Sequence, residues 1–215
     1  QWMKQVASHF GGTRNGMAIS WPKRIKDQGG LRSQFHHVID IAPTILEAIG
    51  IEAPEEVDGV SQMPIEGTSM GYTFDSPQTE STHKTQYFEI LGNRGIYHDG
   101  FMASCFHGRV PWVRMASVPF DGPQEKWELY DIRTDFSQSN DLSEELPEKL
   151  TELQNLFDEE AKRNNVYPLR DPGNRLTENT RPPDPLNGVK KAFYTTDHVR
   201  MPEFSVLNIK NHSFQ

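Results

Sequence analysis

The sequence predicts an α/β chain whose centre is a small four-stranded antiparallel sheet packed by one long helix. Two observations carry that expectation. Residues 84–132 alternate with period two between Gly92-Asn93-Arg94, Asp99-Gly100 and Asp121-Gly122-Pro123, the punctuation of a meander. Residues 147–161 then set Leu150, Leu153, Leu156, Phe157 and Ala161 on one stripe at helical spacing. Pro147 stands in the first turn of that helix, where a missing N–H costs nothing, and Glu148 lies near its positive end.

The elements follow in order. Gly11-Gly12 marks a loop where backbone can approach a ligand closely, and Met17 to Trp21, closed by Pro22, reads as a buried strand. Gly29-Gly30 marks a surface turn, and His36-His37-Val38-Ile39 reads as a second short strand. Asp40 then caps a helix with Pro43 in its first turn, Ile41, Ile45, Leu46 and Ile49 at helical spacing, and Gly50 as the stop. One face of that helix should pack on the two strands. Residues 52–77, rich in Pro, Gly, Ser and acid, read as a long surface loop with a turn at Asp58-Gly59. The meander runs through 85–91, 95–98, 101–106 and 127–132, with Asp99-Gly100 as its strongest hairpin signal, and the long helix should cross one face. Residues 171–185 are too proline-rich for an element interior, and 192–196 and 204–209 are weak strand-like pieces. The expected organisation is therefore 1–83, 84–170 and 171–215.

Composition narrows the functional classes. The 215 residues carry a formal charge of −8, and Lys and Arg never gather into a stripe, which argues against nucleic acid as a partner. No apolar run reaches the roughly 18 residues that a spanning helix needs. Cys105 is the one cysteine, so neither an internal disulfide nor a cysteine-based zinc site can form within this sequence. The first residues read as though the chain begins in mid-sequence.

Few residues invite chemistry on spacing alone. His9 stands just before Gly11-Gly12 and is flanked by Lys4 and Arg14, a set that could hold an anion or be ordinary solvated loop residues. The alternation expected at His36-His37 sends one ring inward and one outward, which speaks against adjacent ligands. Asp99, Asp121 and Asp131 read as turn carboxylates, and nothing in their pattern builds a calcium site from this chain.

Five runs in order change the picture. Lys4-Gln5-Val6-Ala7-Ser8-His9-Phe10-Gly11-Gly12-Thr13-Arg14, Val38-Ile39-Asp40-Ile41-Ala42-Pro43-Thr44-Ile45-Leu46, Gln86-Tyr87-Phe88-Glu89, Arg94-Gly95-Ile96-Tyr97-His98-Asp99-Gly100 and Trp127-Glu128-Leu129-Tyr130-Asp131 resemble the C-terminal part of bacterial arylsulfatases, members of the alkaline phosphatase superfamily. The resemblance covers about residues 1–170, and the tail is similar to the lead into a further β region of large members. It implies the C-terminal part of an alkaline-phosphatase-like sandwich in 1–83, joined to the small sheet and its helix.

The implied activity is sulfuric ester hydrolysis by a formylglycine nucleophile on Ca²⁺. The nucleophile and the metal ligands belong upstream of residue 1, so this chain alone should be inactive and none of its own residues is expected to bind metal. The implied partners are a small-molecule or carbohydrate sulfate ester and the N-terminal half of the sulfatase domain, and family habit favours a periplasmic or secreted location. Cys105-Phe106-His107-Gly108-Arg109 departs from the family's Cys-x-Pro/Ser-x-Arg sequence and lies in a strand pattern, so Cys105 reads as structural.

The family's cationic Lys precedes the Gly-Gly pair, which makes Lys4 the match, one position out of the usual register, where Gln5 stands. Lys4 would bind a sulfate oxygen and donate on the leaving-group side, and His9 would make a second contact; either could be the cationic residue. Arg14 is the weaker candidate and would tie down the loop. The alternatives are a phosphodiester or phosphonate monoester hydrolase of the same superfamily and a non-catalytic remnant or binding subunit.

Overall fold

The computed structural model of the chain describes residues 8–27, 29–90, 92–107 and 125–169. Two compact units divide the chain at 173/174, and every described residue lies in the first. Lys4, the turn at 121–123, residues 108–109, the proline-rich tail and its two strand-like pieces lie outside the described residues.

The chain enters through a single helical turn, α1 (Phe10–Thr13). The strand expected at 17–22 does not form: residues 14–20 have no regular structure, and Met17 is 53% exposed. A short apolar run becomes a strand only beside a partner ladder and under a covering layer, and no described segment supplies either. The strand expected at 36–39 is replaced by a 3-10 turn at Val38–Asp40 that runs directly into α2 (Ile41–Ile49). Its cause is local: Asp40 Oδ2 accepts the His37 backbone N–H at 2.8 Å, which bends the backbone out of the extended state. Asp40 therefore closes a capping box with His37, the N-cap of the 3-10 turn, and its side chain makes no cap bond to α2.

Gly50 ends α2 in the left-handed conformation, φ 68°, as the stop signal predicts. The expected packing of α2 on two strands is absent with the strands: Ile45 and Ile49 are 54% and 58% exposed. The buried residue of α2 is Thr44, whose Oγ1 donates to Asp40 O at 2.6 Å and accepts the Met70 N–H at 2.8 Å.

Residues 52–77 are more ordered than a plain loop. β1 (Glu56–Val57) and β2 (Val60–Ser61) form a small hairpin about Asp58-Gly59, both at positive φ, and α3 (Tyr72–Asp75) follows. Arg24 fastens the preceding segment to α3, donating to Asp75 Oδ2 and Gly71 O, each at 3.0 Å.

The antiparallel meander forms as the alternation predicts: β3 (Thr85–Ile90), β4 (Asn93–His98), β5 (Phe101–Cys105) and β6 (Trp127–Asp131), neighbours in that order. Asp99 and Gly100 join β4 to β5 at φ 45° and 89°, the primed turn whose twist matches the strands. The long helix α4 (Pro147–Arg163) lies on one face, where Leu153, Phe157 and Ala161 meet Ile96, Ala103 and Leu129. Strand alternation sends Phe88, Tyr97, Met102, Glu128 and Tyr130 to the opposite face. That face is covered by the amino-terminal segments: Phe10 packs on Tyr97 and Met102, and Phe35 stacks on Tyr97 at 3.6 Å between ring centroids.

Candidate functional site

The sheet face away from α4 gathers the polar groups with the richest chemistry. His9, the candidate from the sequence, is 4% exposed. Its Nε2 lies 2.6 Å from Glu128 Oε2 on β6, and its Nδ1 lies 2.9 Å from Ser8 Oγ. Tyr130, two positions on and therefore on the same face, donates its hydroxyl to the same Glu128 oxygen at 2.9 Å. Burial pulls the basicity of His9 below the ordinary imidazole value, against the raising effect of Glu128. Burial and Glu128 together push the Tyr130 hydroxyl well above the usual phenol range.

A neutral His9 carries one N–H. A carboxylate can only accept, so the hydrogen is assigned to Nε2, and Nδ1 is left to accept the Ser8 hydroxyl. The next residue extends the attachment, because the Phe10 N–H donates to Gln138 Oε1 at 2.7 Å. Arg14 lies over the Phe136 ring, 4.0 Å from its centroid, with Phe10 at 5.5 Å. The structure thus brings His9 and Arg14 onto one edge of the sheet.

A second cluster centres on Asp40, which is fully buried. Its carboxylate faces His83 Nδ1 at 2.9 Å from both oxygens and accepts the Thr68 N–H at 2.8 Å as well as that of His37. His36 Nδ1 stands 3.4 Å away. Against its burial, these donors hold the Asp40 carboxyl far below the usual range, while Asp40 raises His83 against the pull of burial. The one-in, one-out pattern expected for His36-His37 fails with the strand: both rings are partly buried.

The third cluster surrounds Cys105 at the end of β5. Arg94 Nη2 donates to Cys105 Sγ at 3.2 Å, Arg94 and His107 both pair with Glu125, and Asn93 Oδ1 accepts the His107 N–H at 3.0 Å. Burial pushes the Cys105 thiol up, against the lowering effect of Arg94.

Sequence reasoning finds His9 and Arg14 and passes over Glu128, Tyr130 and His83. The signal for Glu128 lies in Trp127-Glu128-Leu129-Tyr130: a carboxylate inside a β-rich run must face away from Leu129, onto the second face of the sheet. His83 sits just before β3 in no recognisable pattern.

Residues 8–166 match N-sulphoglucosamine sulphohydrolase, C-terminal, and the chain belongs to that sulfatase family. Among curated proteins it is similar to N-acetylglucosamine-6-O-sulfatase of Bacteroides thetaiotaomicron, 25% identical over 166 residues, which are 75% of this chain. The chain spans 26% of that protein's length.

Two solved structures resemble it. One is a protein in complex with its substrate D-glucosamine-2-N,6-O-disulfate, at TM-score 0.47 and 22% identity over 69% of this chain and 28% of the other. The second comes from work on glycosaminoglycan metabolism by Bacteroides thetaiotaomicron, at TM-score 0.42 and 16% identity over 60% of this chain and 25% of the other. No helix among the described residues is long and apolar enough to cross a membrane.

Proposed function

We propose that this chain is the C-terminal part of a sulfuric ester hydrolase acting on a sulfated sugar. The family match across residues 8–166 carries the reading, and the sugar sulfatase among its relatives favours a carbohydrate sulfate over the aryl sulfate that the sequence resemblance suggests.

The resemblance routes the chemistry through formylglycine and Ca²⁺. The described residues do not suit either group: none of them form a set of three or more His, Cys, Asp or Glu able to hold a metal, and Cys105 is packed in β5 against Arg94. Neither group is therefore assigned to the described residues.

This chain's own contribution is positioning and charge. Lys4 binds a sulfate oxygen and donates on the leaving-group side. Neutral His9, with both ring nitrogens engaged by Glu128 and Ser8, anchors the start of α1 on β6 in place of the second sulfate contact that the resemblance implies, and Arg14, which caps α1, stacks on Phe136. A fixed cation aimed at developing charge is worth about 10²–10³ in rate.

The test is sulfate release by the complete protein from N-acetylglucosamine 6-sulfate, 4-nitrophenyl sulfate and an aryl phosphodiester. Turnover fastest on the sugar sulfate, falling about 10²–10³-fold in Lys4→Ala, is expected. Faster phosphodiester cleavage, or no sulfate from either ester, would overturn the reading.

A further inference from the structure

We infer that Glu128 is the positioning residue of this site: from β6 its carboxylate fixes the orientation of the His9 ring and thereby the helical turn α1 that follows, which carries Gly11 and Gly12 where the sequence reads a loop. The inference rests on the sulfatase reading above and adds to it the residue that aligns that turn.

The geometry supports the role in three ways. His9 and Glu128 are 119 positions apart along the chain, so their 2.6 Å contact is a deliberate tie between the amino-terminal segment and the last strand of the meander. Residues 9 and 10 then span the sheet, His9 on Glu128 of β6 and the Phe10 ring on Tyr97 of β4 and Met102 of β5, so the segment is registered against three strands at once. Glu128 is itself held by the Tyr130 hydroxyl at 2.9 Å, which fixes the oxygen that meets His9. The tie seats the backbone of α1, which begins at the next residue, and misplacement of about 1 Å near a reacting group can cost about 10²-fold in rate.

A purely structural staple and a positioning carboxylate differ in one respect. Neutral His9 needs only an acceptor on Nε2, which a glutamine oxygen also provides, so a staple would survive Glu128→Gln. A carboxylate does more: it selects the Nε2–H form of the ring, and its charge sets the basicity of His9.

The experiment uses the complete protein, with sulfate release from N-acetylglucosamine 6-sulfate and NMR titration of the His9 ring. Glu128→Gln should lower kcat about 10–100-fold with KM changed less than about twofold, and should move the His9 titration further down. Tyr130→Phe, which removes the competing donor from the carboxylate, should move that titration up. Unchanged kcat in Glu128→Gln, or shifts of the same sign in both variants, would overturn the inference. If Glu128→Gln does not fold, Tyr130→Phe decides it: an upward shift supports the role and no shift sinks it. A wild-type protein that releases no sulfate refutes the sulfatase reading, while the opposite His9 shifts still report on Glu128.

Discussion

His83 Nδ1 lies 2.9 Å from both carboxylate oxygens of Asp40, and this pair joins the 3-10 turn before α2 to the segment leading into β3. Asp40 also accepts the backbone N–H groups of His37 and Thr68, so three stretches of chain meet at one buried carboxylate. A buried charge with this many donors is costly to break from one side.

Asp40→Ala should therefore destabilise the fold by about 3–5 kcal/mol, because it strands a raised His83 and two backbone donors in the interior. Urea denaturation of the two proteins checks this. A loss below about 1 kcal/mol, the usual range for surface pairs, would mean that water replaces the carboxylate freely.

The same pair sets a pH signature. His83 titrates above its ordinary 6.5, so its contribution is complete below that pH and is lost as pH rises through the raised value. Asp40 titrates below its ordinary 3.8, so its contribution is complete above that pH and is lost only as pH falls through the depressed value. The stability difference between wild type and His83→Gln should be largest between the ordinary values of 3.8 and 6.5 and shrink in mildly alkaline buffer. Urea midpoints at about pH 5.5 and pH 9 measure it. An equal difference at both would show that charge on His83 plays no part.

Phe157→Ala removes a side chain with no exposed surface, packed among Ile96, Ala103 and Leu129 and edge-on to Trp127 at 5.7 Å between centroids. The expected cost is about 3–5 kcal/mol, read as a fall in thermal midpoint. A much smaller loss would show that α4 re-seats on the sheet.

Gly100→Ala tests the β4–β5 hairpin. Gly100 sits at φ 89°, and an added Cβ would stand 2.6 Å from Arg133 Cδ. The left-handed backbone alone costs an L-residue about 1–2 kcal/mol, so the variant should melt earlier than wild type by the corresponding amount. Unchanged melting would mean that the turn relaxes to another type.

Local patterns are readable where the chain supplies both the period and its punctuation. The meander, the Asp99-Gly100 turn, the Gly50 stop and the α4 stripe all follow from residues within one element and its neighbours. The short runs at 17–22 and 36–39 mislead because a stretch of four to six residues has no period of its own. Its state is decided by what lies beside it, and at 36–39 by one carboxylate bonding back to the His37 N–H. At the site, His9 is visible through the glycines after it. Glu128 and His83 are not, because each is defined by a partner far away in sequence.

The order of the strands bears on how the site comes together. Two-residue connections link β3 to β4 and β4 to β5, so those ladders can zip early and locally, whereas β5 ends at Cys105 and β6 begins only at Trp127. Among the described residues β6 is an edge strand, and His9 reaches it from the far end of the chain. Amide exchange should find β6 opening before β4, and each such opening would release His9 while both tight hairpins stay closed. Such openings would separate the alignment of the site from the stability of the protein.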